Sequence, residues 1–276
     1  MRILVGEAPF NASSRAANYG DGCFTTAQIS DGKVELLSLH IQRLQHAANV
    51  LKYRIMQQDW DALVVQINEV AGQTQQGILK VVLCAEDGGR GYARIAEHAL
   101  AFVRGFQSED IYALQRQKGV TLQLSNFKLS NSESLSGLKH LNRLDQVMAK
   151  TEPKDKQVFD LVLCDEQGML VETTSANLFW SNGKSWFTPE LTKCGVDGVM
   201  RNHLLRLLSA SGTSVYEVAA VAKVLKAAKA VFLCNSLMKV VPVTKLIGQN
   251  GEWEVEFNRQ PIQNLQKQVI HSLHEN

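Results

Sequence analysis

The sequence lacks the marks of several large classes of protein, and each absence narrows its function. Its five cysteines are odd in number and scattered, without CxxC or cysteine–histidine spacing. This pattern excludes a disulfide framework or a zinc site and is typical of reduced thiols in the cytosol. No apolar stretch is long enough to span a bilayer, and the first residues have none of the parts of a signal peptide. We therefore expect a cytoplasmic protein with no metal site and no membrane partner.

The chain also lacks an excess of one charge. It has 29 lysines and arginines against 27 aspartates and glutamates, a formal net charge of +2. No basic run interleaves with aromatic residues, so nucleic acid is not the expected partner. With 276 residues, of which 45% are hydrophobic, the chain can bury roughly three quarters of its unfolded surface. These values indicate a globular protein with one large domain or two modest ones.

Strand-like and helix-like patterns alternate along the chain and predict an α+β fold with two domains. The Asp31-Gly32 and Asn182-Gly183 pairs predict hairpin turns. Ser38 would cap a helix with one apolar face, and further helices are expected at residues 222–228 and 262–273. Leucines at every third residue from Leu138 predict that Lys139 stands at the start of a helix. The polar residues 108–118 would connect a first domain, residues 1–107, to a second, residues 119–276.

Residues 172–201 carry the densest chemistry. They begin ETTSANLFW, with the carboxylate of Glu172 on a predicted strand, and they end GVDGVMR, where Gly198 would open a helix. Upstream, in GLKHLNRL, Lys139 can act as an amine nucleophile. A cofactor with a phosphate, a basic ring nitrogen and an aldehyde would need all three groups. Pyridoxal 5'-phosphate is such a cofactor.

These residues resemble the fold type IV pyridoxal-phosphate enzymes, the family of branched-chain and D-amino acid aminotransferases and aminodeoxychorismate lyases. The family pattern is matched by Glu172, Thr174, Asn177, Leu178, Phe179, Thr188, Gly198, Val199 and Arg201. Trp186 departs from it, since a smaller aliphatic residue is usual there. Within the family, four stretches look like the lyases: YGDGCFTT at 19–26, GGRGY at 88–92, KHLNR at 139–143 and CNSLM at 234–238. The resemblance implies a homodimer. Each subunit would have a small N-terminal α/β sandwich domain and a larger C-terminal β-rich domain, which has flanking helices and binds the cofactor.

The resemblance also implies the cofactor contacts. Lys139 would form the internal aldimine and then act as acid and base, while Glu172 would keep the ring nitrogen protonated. The phosphate would be held by the side chains of Arg43 and Ser236 and by backbone N–H groups at the start of the helix. The residues that would donate those N–H groups are Val199 and Met200. Taken alone, a lysine or a strand-end glutamate is most often solvated.

The substrate side follows from the same resemblance. Arg90 and Tyr92 would bind a substrate carboxylate, although a tight surface turn with a solvated arginine is nearly as good an interpretation. Asn235 would contact the pyruvyl part of the substrate. Thr26 would take part in proton transfer, but an alternating strand also accepts threonine for no functional reason.

The implied reaction converts 4-amino-4-deoxychorismate to 4-aminobenzoate and pyruvate in folate synthesis. It proceeds by external aldimine formation, α-proton abstraction and elimination of enolpyruvate. One alternative is a D-amino acid or branched-chain aminotransferase with the same cofactor site, against which Thr26, Asn235 and the KHLNR run favour the lyase. The other is a non-catalytic binding protein, and the presence of Lys139 together with Glu172 and Arg43 argues against it.

Overall fold

The computed structural model describes residues 1–7, 13–86, 91–95 and 98–274. The chain divides into two compact units. The first comprises Met1–Asp110 and Leu138–Asn142, and the second comprises Ile111–Gly137 and Arg143–Asn276. The predicted connection, residues 108–118, contains a short helix, Ala113–Lys118. The domain boundaries expected from the sequence stay a prediction.

The first unit is a five-stranded sheet with helices on one face. Its elements are β1 (Arg2–Val5), α1 (Arg15–Tyr19), β2 (Gly22–Ser30), β3 (Lys33–Val34), α2 (Leu37–Val50), α3 (Gln57–Thr74), β4 (Gly77–Ala85) and β5 (Ala99–Gln107). The strand order is β1-β5-β4-β2-β3, and only the β1–β5 pair is parallel. Helix α2 packs on β2 and α3 packs on β5.

The alternation of β2 sorts its side chains between the two faces of this sheet. Thr25 is buried, and its hydroxyl lies 2.6 Å from Nδ1 of the buried His40 on α2. Phe24 and Thr26 are only partly buried. Because successive strand residues point to opposite faces, they lie on the face away from α2.

The second unit is a nine-stranded sheet with the order β11-β10-β9-β12-β13-β6-β7-β8 and with β14 paired to β13. Its strands are β6 (Val120–Leu129), β7 (Val158–Asp165), β8 (Leu170–Thr173), β9 (Asn177–Ser181), β10 (Trp186–Pro189), β11 (Val215–Val218), β12 (Ala230–Asn235), β13 (Lys239–Ile247) and β14 (Glu254–Glu256). Its helices are α4 (Ala113–Lys118), α5 (Leu144–Lys150), α6 (Val199–Ala210) and α7 (Gln260–His274). Three short 3₁₀ turns complete it, Glu133–Leu135, Ala222–Ala227 and Gln249–Gly251.

Trp186, the departure from the family pattern, is a core residue. It is buried and packs edge-on to Phe232, with ring centroids 5.0 Å apart. Phe232 in turn stacks on Phe179 at 4.8 Å. The larger ring therefore fits the interior and extends an aromatic cluster.

Several predicted elements are confirmed. The hairpin at Asp31-Gly32, the hairpin at Asn182-Gly183 and the helix after Gly198 all form. The C-terminal helix also forms, with Ile262 and Val269 fully buried.

Other predictions are wrong or incomplete. Helix α2 begins at Leu37 and its N-cap is Leu36, in the left-handed conformation with φ 54°, so Ser38 does not cap the helix. Residues 222–227 form a 3₁₀ turn in place of an α-helix. Helix α3 was not predicted, although its buried positions have helical spacing: Trp60, Leu63, Ile67, Val70 and Ala71.

We expect Trp186→Ala to lower the free energy of unfolding by about 3–5 kcal/mol, because it leaves a cavity beside Phe232. Chemical denaturation measures this loss. Tyr216→Ala, at a position that is 51% exposed, serves as the control and should cost much less. Equal losses from the two variants would show that Trp186 does not support the core.

Candidate functional site

The predicted site residues fall into two sets, one on each unit. The first unit carries Thr26, Arg43, Tyr92 and Lys139, and the second carries Glu172, Val199, Met200, Asn235 and Ser236. Arg90, one of the predicted substrate contacts, lies outside the described residues.

Lys139 stands on an extended segment that pairs with the start of β2. The backbone N–H of Phe24 donates to the carbonyl of Lys139 at 2.9 Å, and that of Leu141 donates to the carbonyl of Gly22 at 2.9 Å. The predicted helix start at Lys139 is therefore wrong. These backbone groups bond to the strand, and α5 begins only at Leu144, whose side chain is 68% exposed. Nζ of Lys139 lies 4.8 Å from the centroid of the Phe24 ring, within the range of a cation–π contact.

Two glycines permit this close approach. A Cβ atom on Gly20 would lie 2.1 Å from Oδ1 of Asn142, and one on Gly22 would lie 2.8 Å from Cδ1 of Leu141. Nδ2 of Asn142 also donates to the carbonyl of Gly20 at 3.2 Å. The YGDG and KHLN motifs, far apart in sequence, thus pack directly together.

The remaining predicted residues of the first unit have different surroundings. Thr26 lies two residues along β2 from Phe24 and pairs with Lys80 of β4. Arg43 is half-buried on α2. Tyr92 is 88% exposed, and its ring lies 5.5 Å from that of Tyr19. Lys139 contacts Phe24, and Thr26 lies on the same face of β2 as Phe24, because residues two apart on a strand share a face.

A buried ion network surrounds Asp21 and was not predicted from the sequence. Arg15 donates to Asp21 at 2.9 Å and to the carbonyls of Gly91 and Tyr92 at 2.9 and 2.8 Å. Arg94 also binds this carboxylate at 2.9 Å. Burial alone would raise the pKa of Asp21, but the bonds from Arg94 and Arg15 outweigh it and hold the pKa below its usual value. The network fixes the backbone around Tyr92.

Glu172 is a buried carboxylate in the second unit, in contrast to a solvated strand-end glutamate. It is 5% exposed on β8. Oε2 accepts a hydrogen bond from the backbone N–H of Val196 at 2.9 Å, and Oε1 accepts one from Nε2 of Gln146 at 3.3 Å. Burial lowers the pKa of the nearby Arg143, and the charges of Glu172 and Asp145 oppose this shift. Gln146, Arg143 and Val196 therefore interact with Glu172 and were not singled out from the sequence.

The N-cap residue of α6 provides no side-chain cap. Gly198 precedes Val199, offers no side chain as a cap, and no acidic residue stands in the first turn. First-turn N–H groups have no partner within a helix. A Cβ atom on Gly198 would lie 2.0 Å from Oδ1 of Asn177, and Nδ2 of Asn177 donates to the carbonyl of Val196 at 2.8 Å. The absence of a side chain at Gly198 therefore leaves the space that the Asn177 side chain occupies.

Ser236 lies in the β12–β13 turn (residues 236–238), which Asn235 shapes. Oδ1 of Asn235 accepts hydrogen bonds from the backbone N–H groups of Leu237 and Met238 at 2.9 and 2.8 Å. Its Nδ2 donates to the carbonyl of Ser175 at 3.0 Å. Asn235 thus has a structural role, and its predicted contact with substrate stays a prediction.

Four of the thiols are protonated near neutral pH. Burial and the neighbouring Cys84 raise the pKa of Cys23 to about 12, against a smaller opposing effect of Arg43. Burial and the charges of Asp165 and Glu172 raise the pKa of Cys194 to about 12. Burial also raises the pKa of the thiols of Cys164 and Cys234.

Within the described part of the chain, no helix combines the length and apolar character that a bilayer crossing requires. Within the same residues, no group of three or more histidine, cysteine, aspartate or glutamate side chains is arranged to hold a metal ion.

We expect Asp21→Asn to change the pH dependence of stability. The folded-state pKa of Asp21 lies below its unfolded value of 3.8, so its stabilisation is fully present above that value and is lost as the pH falls through the folded pKa. The variant should lose roughly 1–3 kcal/mol near neutral pH, and its difference from wild type should shrink in acid. Urea unfolding from about pH 7 to pH 2 measures this, with the exposed Asp61→Asn as control. A difference that is constant with pH would contradict the ionic role.

Comparison with known proteins gives a family match over most of the chain. Residues 22–246 match the model of the family described as amino-transferase class IV. An aminodeoxychorismate lyase of Vibrio harveyi is 33% identical over 231 residues, which cover 83% of this chain and 84% of the relative.

Solved structures agree with these matches. The 4-amino-4-deoxychorismate lyase of Pseudomonas aeruginosa is 30% identical, with a TM-score of 0.89 over 97% of each chain. A hypothetical aminotransferase of Mycobacterium tuberculosis, solved in a PLP-bound form, shares the fold at 18% identity, with a TM-score of 0.78 over 97% of this chain and 94% of its own. The predicted fold type IV architecture and the predicted resemblance to pyridoxal-phosphate enzymes are confirmed. The chain therefore belongs to the class IV amino-transferase family.

Proposed function

We propose that this protein is a pyridoxal-phosphate-dependent lyase that converts 4-amino-4-deoxychorismate to 4-aminobenzoate and pyruvate. The observation that carries the proposal is the packing of the two lyase-like motifs around Lys139. Residues 20–24 and 139–142 contact each other through main-chain hydrogen bonds and two glycines. The similarity to lyases of two bacteria over most of the chain supports it. The homodimer, the place in folate synthesis and the cytoplasmic location that the resemblance implies stay predictions.

The donor set fits this cofactor. When bound, pyridoxal phosphate supplies an aldehyde that condenses with amines and a ring that accepts electrons from a carbon losing its proton. The uncapped first turn of α6 presents the N–H groups of Val199 and Met200, and the helix dipole favours a phosphate there. We assign the hydroxyl of Ser236 and the guanidinium of Arg43 to the same phosphate.

Glu172 would keep the ring nitrogen protonated. Val196 and Gln146 hold its carboxylate in one orientation, and each oxygen of a carboxylate can accept more than one hydrogen bond. Because the group is buried, its charge interacts more strongly with a ring cation than it would in water. A protonated ring accepts electrons better, so this single contact raises the acidity of the carbon that bears the substrate amine.

Lys139 would take the proton from the amine-bearing carbon. The bond between the substrate ring and its ether oxygen then breaks, and the enolpyruvyl group leaves with the bonding electrons. This group becomes pyruvate after it gains a proton, for which Thr26 is the assigned donor. The six-membered ring becomes aromatic as it loses the proton that Lys139 takes and the enolpyruvyl group. Aromatisation supplies the driving force, so the protein mainly has to acidify one carbon and move protons.

The second candidate is an aminotransferase, because the family that the chain matches is described as amino-transferase class IV. It would use the same residues to hold the cofactor but would return the proton at a different carbon and release a keto acid. The discriminating feature is what happens after proton removal, and therefore the products distinguish the two reactions.

The test is the formation of both products. Purified protein with pyridoxal phosphate and enzymatically generated 4-amino-4-deoxychorismate should form 4-aminobenzoate and pyruvate in equal amounts. Lys139→Ala should abolish turnover and the visible absorbance of the bound cofactor, whereas Lys184→Ala, at an exposed position, should leave both unchanged. If absorbance forms without either product and amino acids convert the cofactor to its amino form, the aminotransferase is the correct function.

We expect Thr26→Ala to impair elimination more than transamination. Loss of a positioned proton donor should lower the lyase kcat roughly a hundredfold, while the amino-acid half-reaction should change little. Thr26→Ser keeps the hydroxyl and should retain most lyase activity. Equal losses of the two activities in Thr26→Ala would remove Thr26 from proton transfer.

A further inference from the structure

Asp160 is a fully buried carboxylate to which the proposed reaction gives no part. It lies on β7 with 0% exposure. Burying an ionised carboxylate is costly unless it is paired and hydrogen-bonded. Burial would raise the pKa of Asp160, but Lys150 and the hydroxyls of Thr174 and Ser175 outweigh that effect and keep the pKa below its usual value. The carboxylate is therefore ionised at neutral pH, and its hydrogen-bond partners show which part of the fold it stabilises.

Its partners lie mainly in one turn. Oδ1 accepts hydrogen bonds from Thr174 Oγ1 at 2.5 Å and from Lys150 Nζ at 2.8 Å. Oδ2 accepts one from Ser175 Oγ at 2.8 Å. Thr174 and Ser175 belong to the β8–β9 turn (residues 174–176), which begins two residues after Glu172. Asp160 thus fixes the point at which the strand carrying Glu172 ends.

The same turn bonds to the phosphate side of the proposed site. The carbonyl of Ser175 accepts a hydrogen bond from Nδ2 of Asn235 at 3.0 Å. Oδ1 of Asn235 accepts the N–H groups of Leu237 and Met238, which closes the β12–β13 turn that contains Ser236. A continuous series of contacts therefore runs from Asp160 through Ser175 and Asn235 to that turn.

We infer that Asp160 is a positioning residue for the cofactor, which sets the separation between the carboxylate of Glu172 and the hydroxyl of Ser236. The inference rests on the proposed function. Pyridoxal phosphate carries its phosphate on a short arm of a rigid ring, which limits the distance between the phosphate and the ring nitrogen. Both contacts therefore form together only if the spacing of their protein partners is held. The β8–β9 turn is the element between them, and Asp160 is its buried anchor.

The test compares two buried aspartates of the same strand. Asp165, 3% exposed on β7, accepts the N–H groups of Gln167 and Met169 in the β7–β8 hairpin. Asp160→Asn should raise the Kd for pyridoxal phosphate, measured by titrating the apoprotein at the cofactor's visible absorbance, by roughly tenfold or more. Asp165→Asn should lower the unfolding temperature but leave this Kd within about twofold. Equal weakening of cofactor binding by both variants would overturn the inference.

A double variant tests the route through Asn235. If Asp160 acts through Ser175 and Asn235, the Kd of Asp160→Asn/Asn235→Ala for the cofactor should equal that of whichever single variant binds the cofactor more weakly. Multiplied effects would show that the two residues act independently and would overturn the inference. Ser175→Ala removes one hydrogen bond while keeping both carboxylates, and a smaller rise in Kd is expected should Asp160→Asn fail to fold. An unchanged Kd in Ser175→Ala would then count against the inference.

The positioning role of Asp160 can fail while the proposed function stands. If wild-type protein binds pyridoxal phosphate and forms 4-aminobenzoate while Asp160→Asn binds the cofactor equally well, the function stands and the positioning role falls. If wild-type protein gives no cofactor absorbance at all, both are overturned.

Discussion

Two main-chain hydrogen bonds hold the candidate nucleophile, and the arrangement of the first unit depends on them. They join Lys139 and Leu141 to the beginning of β2. Since a strand offers its bonding groups only in one register, the position of the lysine is set by the sheet. The cost is that no side chain can stand at residues 20 and 22. This explains why a glycine-rich motif and a lysine motif more than a hundred residues apart form one constellation.

The second unit achieves the same rigidity with buried polar contacts. Its carboxylates, Glu172 and Asp160, are both almost fully removed from solvent, and each is held by donors from a different part of the chain. A buried polar group that lost one partner would be costly, so the network tolerates few alternative arrangements. Turns, which are usually the variable part of a sheet, are here the parts that are fixed.

Sequence reasoning succeeded where the signal is local and failed where it depends on distant partners. Turn pairs such as Asn182-Gly183 define their own backbone geometry, and the hairpins followed. The leucines after Leu138 imitated a helix because spacing alone does not show which backbone groups have a strand to bond to. Glu172 could be found because its neighbours form a pattern. Asp160 and Asp21 could not be found in this way. Their roles depend on hydrogen bonds from Lys150, Arg15 and Arg94, which only the fold brings close to them.

The burial of the cysteines bears on chemical selectivity. Aldehydes react with the sulfur of cysteine as well as with amines, and the deprotonated thiolate is a much better nucleophile than the protonated thiol. With the pKa of Cys23 and of Cys194 each at about 12, and with those of Cys164 and Cys234 also raised, these thiols keep their protons near neutral pH. A reactive aldehyde inside this protein would therefore meet no competing sulfur anion from these four side chains. The same burial makes them slow targets for alkylating and oxidising reagents.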